Sequence, residues 1–295
     1  MTARPEQNLR IFVAIATIGR APILCQVLAQ LAAQSRAPDG VVVVGTSAAD
    51  VEGAGQACPV AEVLTSPKGL CRQRNVALAH IGERADVVLF IDDDFVPADD
   101  YLAQIDAQMS ADPSLVGLTG HLVADGAHTS EIAFGDAVAM AGQKPGEGCV
   151  TEPTTWLYGC NMAIRTAAAR DLRFDERLPL YGWQEDVDFS SRLGAFGTMR
   201  RSRDLTGVHM GTRSGRISGV RFGYSQVANI IYLRRKQTIG LRHGYGLMAR
   251  NVASNLARSL WSEPMIDRRG RLAGNAIGFV DLLRGRVDPG RVEQL

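Results

Sequence analysis

The sequence predicts an α/β protein: a mixed, mostly parallel sheet flanked by helices, followed by a basic and mainly helical C-terminal extension. Three observations carry this. Short apolar runs alternate with segments of 3.6-residue periodicity along the first half of the chain. One run, Val87 to Ile91, is uninterrupted, as expected of a strand buried on both faces. It leads straight into three carboxylates, Asp92, Asp93 and Asp94, where the carboxyl end of a strand in an open α/β sheet collects ligands.

Each element follows in order. Leu9 to Thr17 reads as a first buried strand, and Ile23, Leu24, Val27, Leu28 and Leu31 mark the apolar face of a helix over 21–35. The turn Ala37-Pro38-Asp39-Gly40 precedes a second strand, Val41 to Val44. Ala61 to Ser66 is a short third strand, a helix spans Arg72 to Ile81, and Val87 to Ile91 is the fourth strand. A helix then runs from Asp99 to about Met109, and Val116 to Val123 is a further strand. Residues 125–153 read as a long loop or insertion, 155–165 as strand-like, and 166–173 as helical. Val187 to Leu193 is a helix and Arg203 to Met210 the last strand. The remainder is helical, with turns expected at Pro264, Gly270 and Pro289.

The 295 residues carry a net charge of only +1, but unevenly. Residues 1–199 hold 14 Lys and Arg against 25 Asp and Glu, whereas residues 200–295 hold 18 against 6. The basic end calls for an anionic partner, or for the acidic first part of the same fold. Within it, Tyr245, Met248, Val252, Leu256 and Leu260 recur at helical spacing beside Arg250 and Arg258, an amphipathic basic stripe that can pack on the protein or lie on an anionic membrane surface. Five scattered cysteines show no zinc-ligand spacing and read as reduced thiols. No signal-peptide core or membrane-spanning run is recognised, so a cytoplasmic location is expected. No nucleic-acid motif accompanies the arginines, so no nucleic-acid partner is expected.

Three adjoining carboxylates repel one another unless a cation joins them, and oxygen ligands of this kind suit Mg²⁺ or Mn²⁺, commonly with a phosphate attached. Thr17 to Arg20, Arg72 to Asn75 and Glu185-Asp186 lie after strands or at helix starts, where phosphates and sugars are held. The alternatives are a haloacid dehalogenase-type phosphatase, whose DxDxV motif fits Asp92 to Val96 but normally lies on the first strand, a nucleotidyltransferase, or a basic nucleic-acid-binding module.

The order of motifs resembles family 2 of the inverting GT-A glycosyltransferases. The resemblance rests on VAIATIGR (13–20), VVVVGTS (41–47), GLCRQRNVAL (69–78), FIDDD (90–94), GCNMAIR (159–165), FDERL (174–178), WQEDVDFSSRL (183–193) and His209. It covers residues 9 to about 236. It implies a GT-A catalytic domain over 1–236, with a nucleotide-binding part to about 124 and an acceptor-side part over about 125–215, then a C-terminal region over 237–295. It implies a divalent metal, Mn²⁺ or Mg²⁺, on Asp92, Asp94 and His209, with Asp93 pointing away. Asp92, Thr17, Arg20, Thr46 and Arg74 would meet the nucleotide. Asp186, with Glu185 beside it, would be the catalytic base, and Trp183, Arg213 and Arg216 would contact acceptor or phosphate. The family usually places an Asp in the base-reading turn, where this chain has Gly45-Thr46-Ser47. The QxxRW motif of processive relatives is missing, which implies one sugar per encounter. The implied activity is transfer from a nucleotide sugar, UDP-linked by family habit, to an acceptor in exopolysaccharide or other cell-surface glycan assembly. A polyprenyl-diphosphate-linked acceptor at the inner face of a bacterial membrane fits the basic C-terminal region.

Overall fold

The computed structural model describes residues 8–127, 130–143, 150–212, 218–260, 263 and 266–295. Its strands are β1 (Ile11–Ala16), β2 (Gly40–Gly45), β3 (Ala61–Thr65), β4 (Val87–Asp92), β5 (Phe95–Pro97), β6 (Leu115–Asp125), β7 (Glu152–Pro153), β8 (Asn161–Arg165) and β9 (Thr198–His209). Its helices are α1 (Ala21–Ala32), α2 (Ala54–Ala57), α3 (Leu70–Ile81), α4 (Tyr101–Ala111), α5 (Phe134–Ala141), α6 (Glu185–Leu193), α7 (Gly219–Lys236), α8 (Leu241–Arg258) and α9 (Arg268–Leu283).

Among the described residues all strands join one sheet in the order β3-β2-β1-β4-β8-β6-β9-β5, with β7 on β9. β1, β2, β3 and β4 pair in parallel, as the βαβ pattern requires, and so do β6 and β9. β8 runs antiparallel between β4 and β6. The apolar run of β4 is buried throughout, and Leu24, Val27, Leu28 and Leu31 of α1 are fully buried in the same core. Each such side chain contributes about 1.5–3 kcal/mol by leaving water. The chain leaves β1 towards β2 but reaches β4 from β3, so the carboxyl ends of β1 and β4 flank a topological switch point. That crevice receives Thr17 from one side and Asp92 to Asp94 from the other.

The chain divides into two compact units. One comprises Met1–Pro67, Arg72–Arg173 and Leu193–Gly215 and holds the whole sheet. The other comprises Lys68–Cys71, Phe174–Arg192 and Arg216–Leu295. Here α7 and α9 pack closely at Gly223, Gly274 and Gly278, where an added Cβ would meet the facing helix. α8 joins them through a buried amide network: Asn255 Nδ2 donates to Gln226 Oε1 (2.8 Å) and Asn275 Oδ1 (2.9 Å).

Several local expectations are corrected. Residues 125–153 are not one loop, since β6 runs to Asp125 and Phe134, Ala137 and Ala141 form a face of α5. Of 155–165, only Asn161–Arg165 is strand. Residues 166–171 form turns rather than a helix, because an alanine-rich run this short cannot repay the entropy of nucleation. Gly270 lies inside α9, its amide bound by the capping Asp267 Oδ1 at 2.7 Å. The expected turn at Pro264 falls outside the described residues. The stripe on α8 splits: Met248 and Val252 are half-buried, whereas Tyr245, Leu256 and Leu260 are exposed. Among the described residues no helix is long and apolar enough to cross a membrane.

Candidate functional site

The ends of β4, β6 and β9 build the site. Asp94 follows β4 and is 2% exposed. Its Oδ2 accepts the Thr212 amide at 2.7 Å and lies 3.5 Å from Arg20. Its Oδ1 is buried without a hydrogen-bond partner, 3.3 Å from His209 Nε2. Asp92 Oδ2 lies 3.8 Å from the same Nε2. One ligand atom from each of Asp92, Asp94 and His209 falls within 4.8 Å of the others. Two carboxylates, one of them with a buried oxygen that has no hydrogen bond, and one imidazole form a donor set suited to a divalent cation such as Mn²⁺ or Mg²⁺. The residues present fit the metal that the resemblance implied.

Charge in the cluster is finely opposed. Burial works against the Asp94 charge, but His209, Arg20 and the Thr212 amide hold its carboxyl below the usual range. Burial likewise disfavours the His209 cation, yet Asp125, Asp94 and Asp92 raise its pKa to about 10. An imidazolium therefore balances the carboxylates here, and a cation would have to replace its Nε2 proton.

Asp93 turns the other way, as alternation along an extended segment predicts. It accepts the Thr17 hydroxyl at 2.7 Å and pairs with Arg20 Nη1 at 2.8 Å. Burial, opposed by Arg20 and joined by the Asp94 charge, raises its carboxyl to about 6. Arg20 Nη2 also donates to the Thr212 carbonyl at 2.9 Å, tying the loop after β1 to the segment after β9. Thr17 and Arg20, expected at the nucleotide, thus brace the acidic strand end in this structure. Arg74, 3% exposed, donates through Nη2 to Asp92 Oδ1 (3.1 Å) and the Gly159 carbonyl (2.7 Å). Thr46 donates its hydroxyl to Asp50 Oδ2 at 2.7 Å.

Reading the sequence did not single out Asp50, Asp125 or Tyr158, and gave Gln73 no role of its own within the segment Arg72 to Asn75. Asp50 accepts the amides of Gly19, Thr46 and Ser47 at 2.7–2.9 Å and so latches the turns after β1 and β2 together. Gln73 Nε2 donates to the carbonyls of Thr17 and Val44, both at 2.8 Å. Asp125 accepts His209 Nδ1 at 2.9 Å and the Tyr158 hydroxyl at 3.1 Å. The one signal for Asp50 was an Asp four residues after a strand-end Thr, a common capping pattern; Asp125 sat in what read as the start of a loop.

Gly126 and Gly211, each one or two residues beyond Asp125 and His209, let these strand ends approach. A Cβ at Gly211 would run into the Gly126 carbonyl carbon, and one at Gly126 into the Met210 carbonyl. Gly211 also has φ +70°, a conformation other residues rarely adopt.

In the other unit, Glu185 and Asp186 open α6. Glu185 is buried, and Asp186 Oδ1 accepts the Val187 amide at 2.8 Å. The turn before them holds three residues at positive φ, Leu180 (58°), Gly182 (64°) and Gln184 (72°), and strain of this kind concentrates at functional segments. Trp183 lies edge-on to Phe222, centroids 5.9 Å apart, and its carbonyl accepts Asn229 Nδ2 at 2.8 Å. Arg213 and Arg216 lie outside the described residues.

No known family profile matches the chain, and no curated protein matches it in sequence. Solved structures do match its fold. The mannosyltransferase PcManGT from Pyrobaculum calidifontis, in complex with GDP-Man and Mn²⁺, is similar with a TM-score of 0.55 at 16% identity, over 97% of this chain and 86% of that one. GalNAc-T7 with UDP, GalNAc and Mn²⁺ gives 0.54 at 12% identity, over 80% of this chain and 53% of that one. S. aureus TarS gives 0.51 at 17% identity, over 85% of this chain and 44% of that one. This chain therefore spans about half the length of the latter two. The likenesses place it in the GT-A fold expected from the sequence.

Proposed function

We propose that the chain is a metal-dependent, inverting family 2 glycosyltransferase that moves one sugar from a nucleoside-diphosphate sugar, UDP-linked in the first instance, to an acceptor hydroxyl. The observation that carries this reading is the Asp92, Asp94 and His209 cluster at the switch point of a GT-A sheet. The solved counterparts in complex with GDP-Man or UDP and with Mn²⁺ support it.

In this reading Asp92, Asp94 and His209 hold Mn²⁺ or Mg²⁺. When bound, such an ion neutralises charge on the departing diphosphate as a Lewis acid. Arg74 holds Asp92 for that task and contacts the base or ribose of the donor. Thr46 meets the base as an acceptor through its hydroxyl oxygen, because its O–H and the Thr46 and Ser47 amides are already given to Asp50. Thr17 and Arg20, which also brace Asp93, contact the nucleotide from the end of β1. Asp186, aided by Glu185, accepts the proton of the acceptor hydroxyl. That oxygen attacks the anomeric carbon from the face opposite the diphosphate, the bond to the diphosphate breaks, and the configuration inverts. Trp183, Arg213 and Arg216 belong to the acceptor and phosphate side of the same proposal.

A lipid-linked acceptor in the assembly of a bacterial surface glycan extends the reading. The supporting feature is α8, which carries Arg242, Arg250 and Arg258 and no acidic residue. Leu241 (60% exposed), Tyr245 (41%), Leu256 (59%) and Leu260 (77%) project along it or just beyond its end. Such a surface suits the headgroup layer of an anionic membrane at the cytoplasmic face.

The test needs no acceptor. UDP- and GDP-linked sugars incubated with the protein and Mn²⁺ should slowly release the nucleoside diphosphate, EDTA should stop release, and Mn²⁺ or Mg²⁺ should restore it. Hydrolysis that survives complete metal removal would sink the reading. Once an acceptor is found, Asp186→Asn should lower turnover about 10²-fold or more with donor binding nearly unchanged by calorimetry. Lost donor binding would make Asp186 structural.

A further inference from the structure

We propose that Asp125 is the positioning residue of the metal cluster: it fixes the His209 ring and its tautomer so that Nε2 faces Asp92 and Asp94. The inference rests on the metal reading of that cluster and adds a residue that neither the motifs nor the likeness to solved structures assigns.

Sequence and sheet geometry put Asp125 there. β6 and β9 pair in parallel, and their register runs Leu122 to Gly207, then Ala124 to Val208, then Asp125 to His209. The shift between Leu122 and Ala124 is a bulge at Val123. In an unbroken ladder Ala124 would stand opposite His209; the bulge brings Asp125 there instead. Bulges commonly re-aim side chains beside functional sites. The two glycines that follow these strands then allow the backbones to close.

The hydrogen bonds complete the argument. A carboxylate only accepts, so the ring nitrogen at 2.9 Å must present N–H to it. The proton of a neutral His209 therefore sits on Nδ1, and the lone pair of Nε2 points towards Asp94 Oδ1 and Asp92 Oδ2. Asp125 is itself held. Oδ2 accepts the Tyr158 hydroxyl at 3.1 Å and Oδ1 the Ala127 amide at 2.9 Å. Tyr158 is placed by its amide, which donates to Thr119 Oγ1 at 3.1 Å, and Thr119 in turn donates to Asn161 Oδ1. The Tyr158 ring also stands edge-on to the imidazole, 83° between planes. Carboxylate partners on the far nitrogen of a ligating His orient the ring and raise its basicity, and losing them costs about 10- to 100-fold in metal affinity.

The experiment measures Mn²⁺ binding to the full chain from the signal of free Mn²⁺ in electron paramagnetic resonance, with no nucleotide or acceptor present. Asp125→Ala should weaken binding about 10- to 100-fold. Asp125→Asn, which can still accept from Nδ1–H, should weaken it less. In a His209→Ala background the Asp125→Ala change should have almost no further effect, because it acts through the ring. Circular dichroism checks that each variant is folded, and Asp125→Asn with Tyr158→Phe replaces Asp125→Ala if that variant is not. An ion pair that merely braced β6 against β9 would lower stability and leave Mn²⁺ affinity as in the parent. That outcome, or equal losses with and without His209, overturns the positioning role. If neither Asp94→Ala nor His209→Ala weakens Mn²⁺ binding, the metal reading itself falls.

Discussion

Asp94 in the sheet unit and Asp281 in the helical unit are carboxylates of almost equal burial, 2% and 0% exposed, and their surroundings differ in kind. Asp281 takes the Tyr224 hydroxyl at 3.1 Å, Arg286 Nε at 2.9 Å, and Arg291 on both oxygens. Every lone pair that burial removed from water has a donor from the same chain. Asp94 has the Thr212 amide on one oxygen; its other oxygen has no well-formed hydrogen bond, only the His209 ring at 3.3 Å, and a second carboxylate lies nearby. Leaving a buried polar atom unsatisfied costs about 1–3 kcal/mol, more for a charged group, so it persists where something other than folding uses it. The chain surrounds Asp281 with hydrogen-bond donors on both oxygens, whereas it gives one oxygen of Asp94 only an ion pair with His209.

The largest test of this contrast is removal of each acid. Asp94→Ala should lower transfer by about 10³-fold or more, as several kcal/mol of charge stabilisation at the leaving group disappear. Its unfolding free energy should fall only modestly, because relief of repulsion with Asp92 and Asp93 offsets the lost pairing with His209 and Arg20 and the lost bond from the Thr212 amide. A loss of stability in urea with transfer as in the parent would mean that Asp94 is structural.

Asp281→Asn should do the reverse, leaving Mn²⁺ affinity alone and costing about 2 kcal/mol in hydrogen bonds to charged groups. Burial opposes the Asp281 charge, but Arg286, Tyr224 and Arg291 overcome it and hold the carboxyl below its ordinary value. A folded pKa below the unfolded value of about 3.9 stabilises the fold in full above that value. The contribution fades as pH falls through the folded pKa. The cost of Asp281→Asn, measured in urea, should therefore be complete at pH 7 and shrink below about pH 4. A cost that does not change with pH would remove charge from the explanation.

The smallest expected effect concerns the exposed side of α8, where Leu241, Tyr245 and Leu256 lie open to solvent on a helix that carries Arg242 and Arg250. The protein should bind anionic vesicles better than neutral ones, and salt should weaken that binding. Arg242→Glu with Arg250→Glu should reduce it about 30-fold or more, at roughly 1 kcal/mol per basic charge lost near the surface, with donor hydrolysis unchanged. Equal binding to both vesicle types, or none, would leave α8 as an ordinary helix of the second unit.

The two halves of this contrast were unequally legible in the sequence. Val87 to Asp94 announced a buried strand ending in charge, and the alternation before it gave the parallel half of the sheet. The Asp94 and His209 pair emerged only from the ordered series of motifs, because no local pattern links residues so far apart. The antiparallel insertion of β8 between β4 and β6 was hidden for the same reason: periodicity reports which faces are buried, not which strands are neighbours. Asp125 was invisible because its role depends on a one-residue bulge at Val123, and a bulge leaves no trace in apolar spacing. Arg20 and Thr17 were read as ligand contacts from their strand-end position, while the structure has them hold Asp93. Type and position predicted that they matter at the crevice, but not which partner they would meet.

The order of strands also says something about time. Asp125 and His209 are 84 residues apart in sequence, Asp94 and Thr212 118, and Arg20 and Thr212 192. Closing loops of that length is entropically unfavourable until the intervening sheet rewards it, so contacts of this kind form late. On a ribosome the cluster cannot exist until residue 212 has emerged, well after β1 to β4 can pair with one another. An ion held by Asp92, Asp94 and His209 would therefore be no nucleus for this chain. It would meet a sheet that has already closed, and would tighten the finished unit rather than guide its assembly.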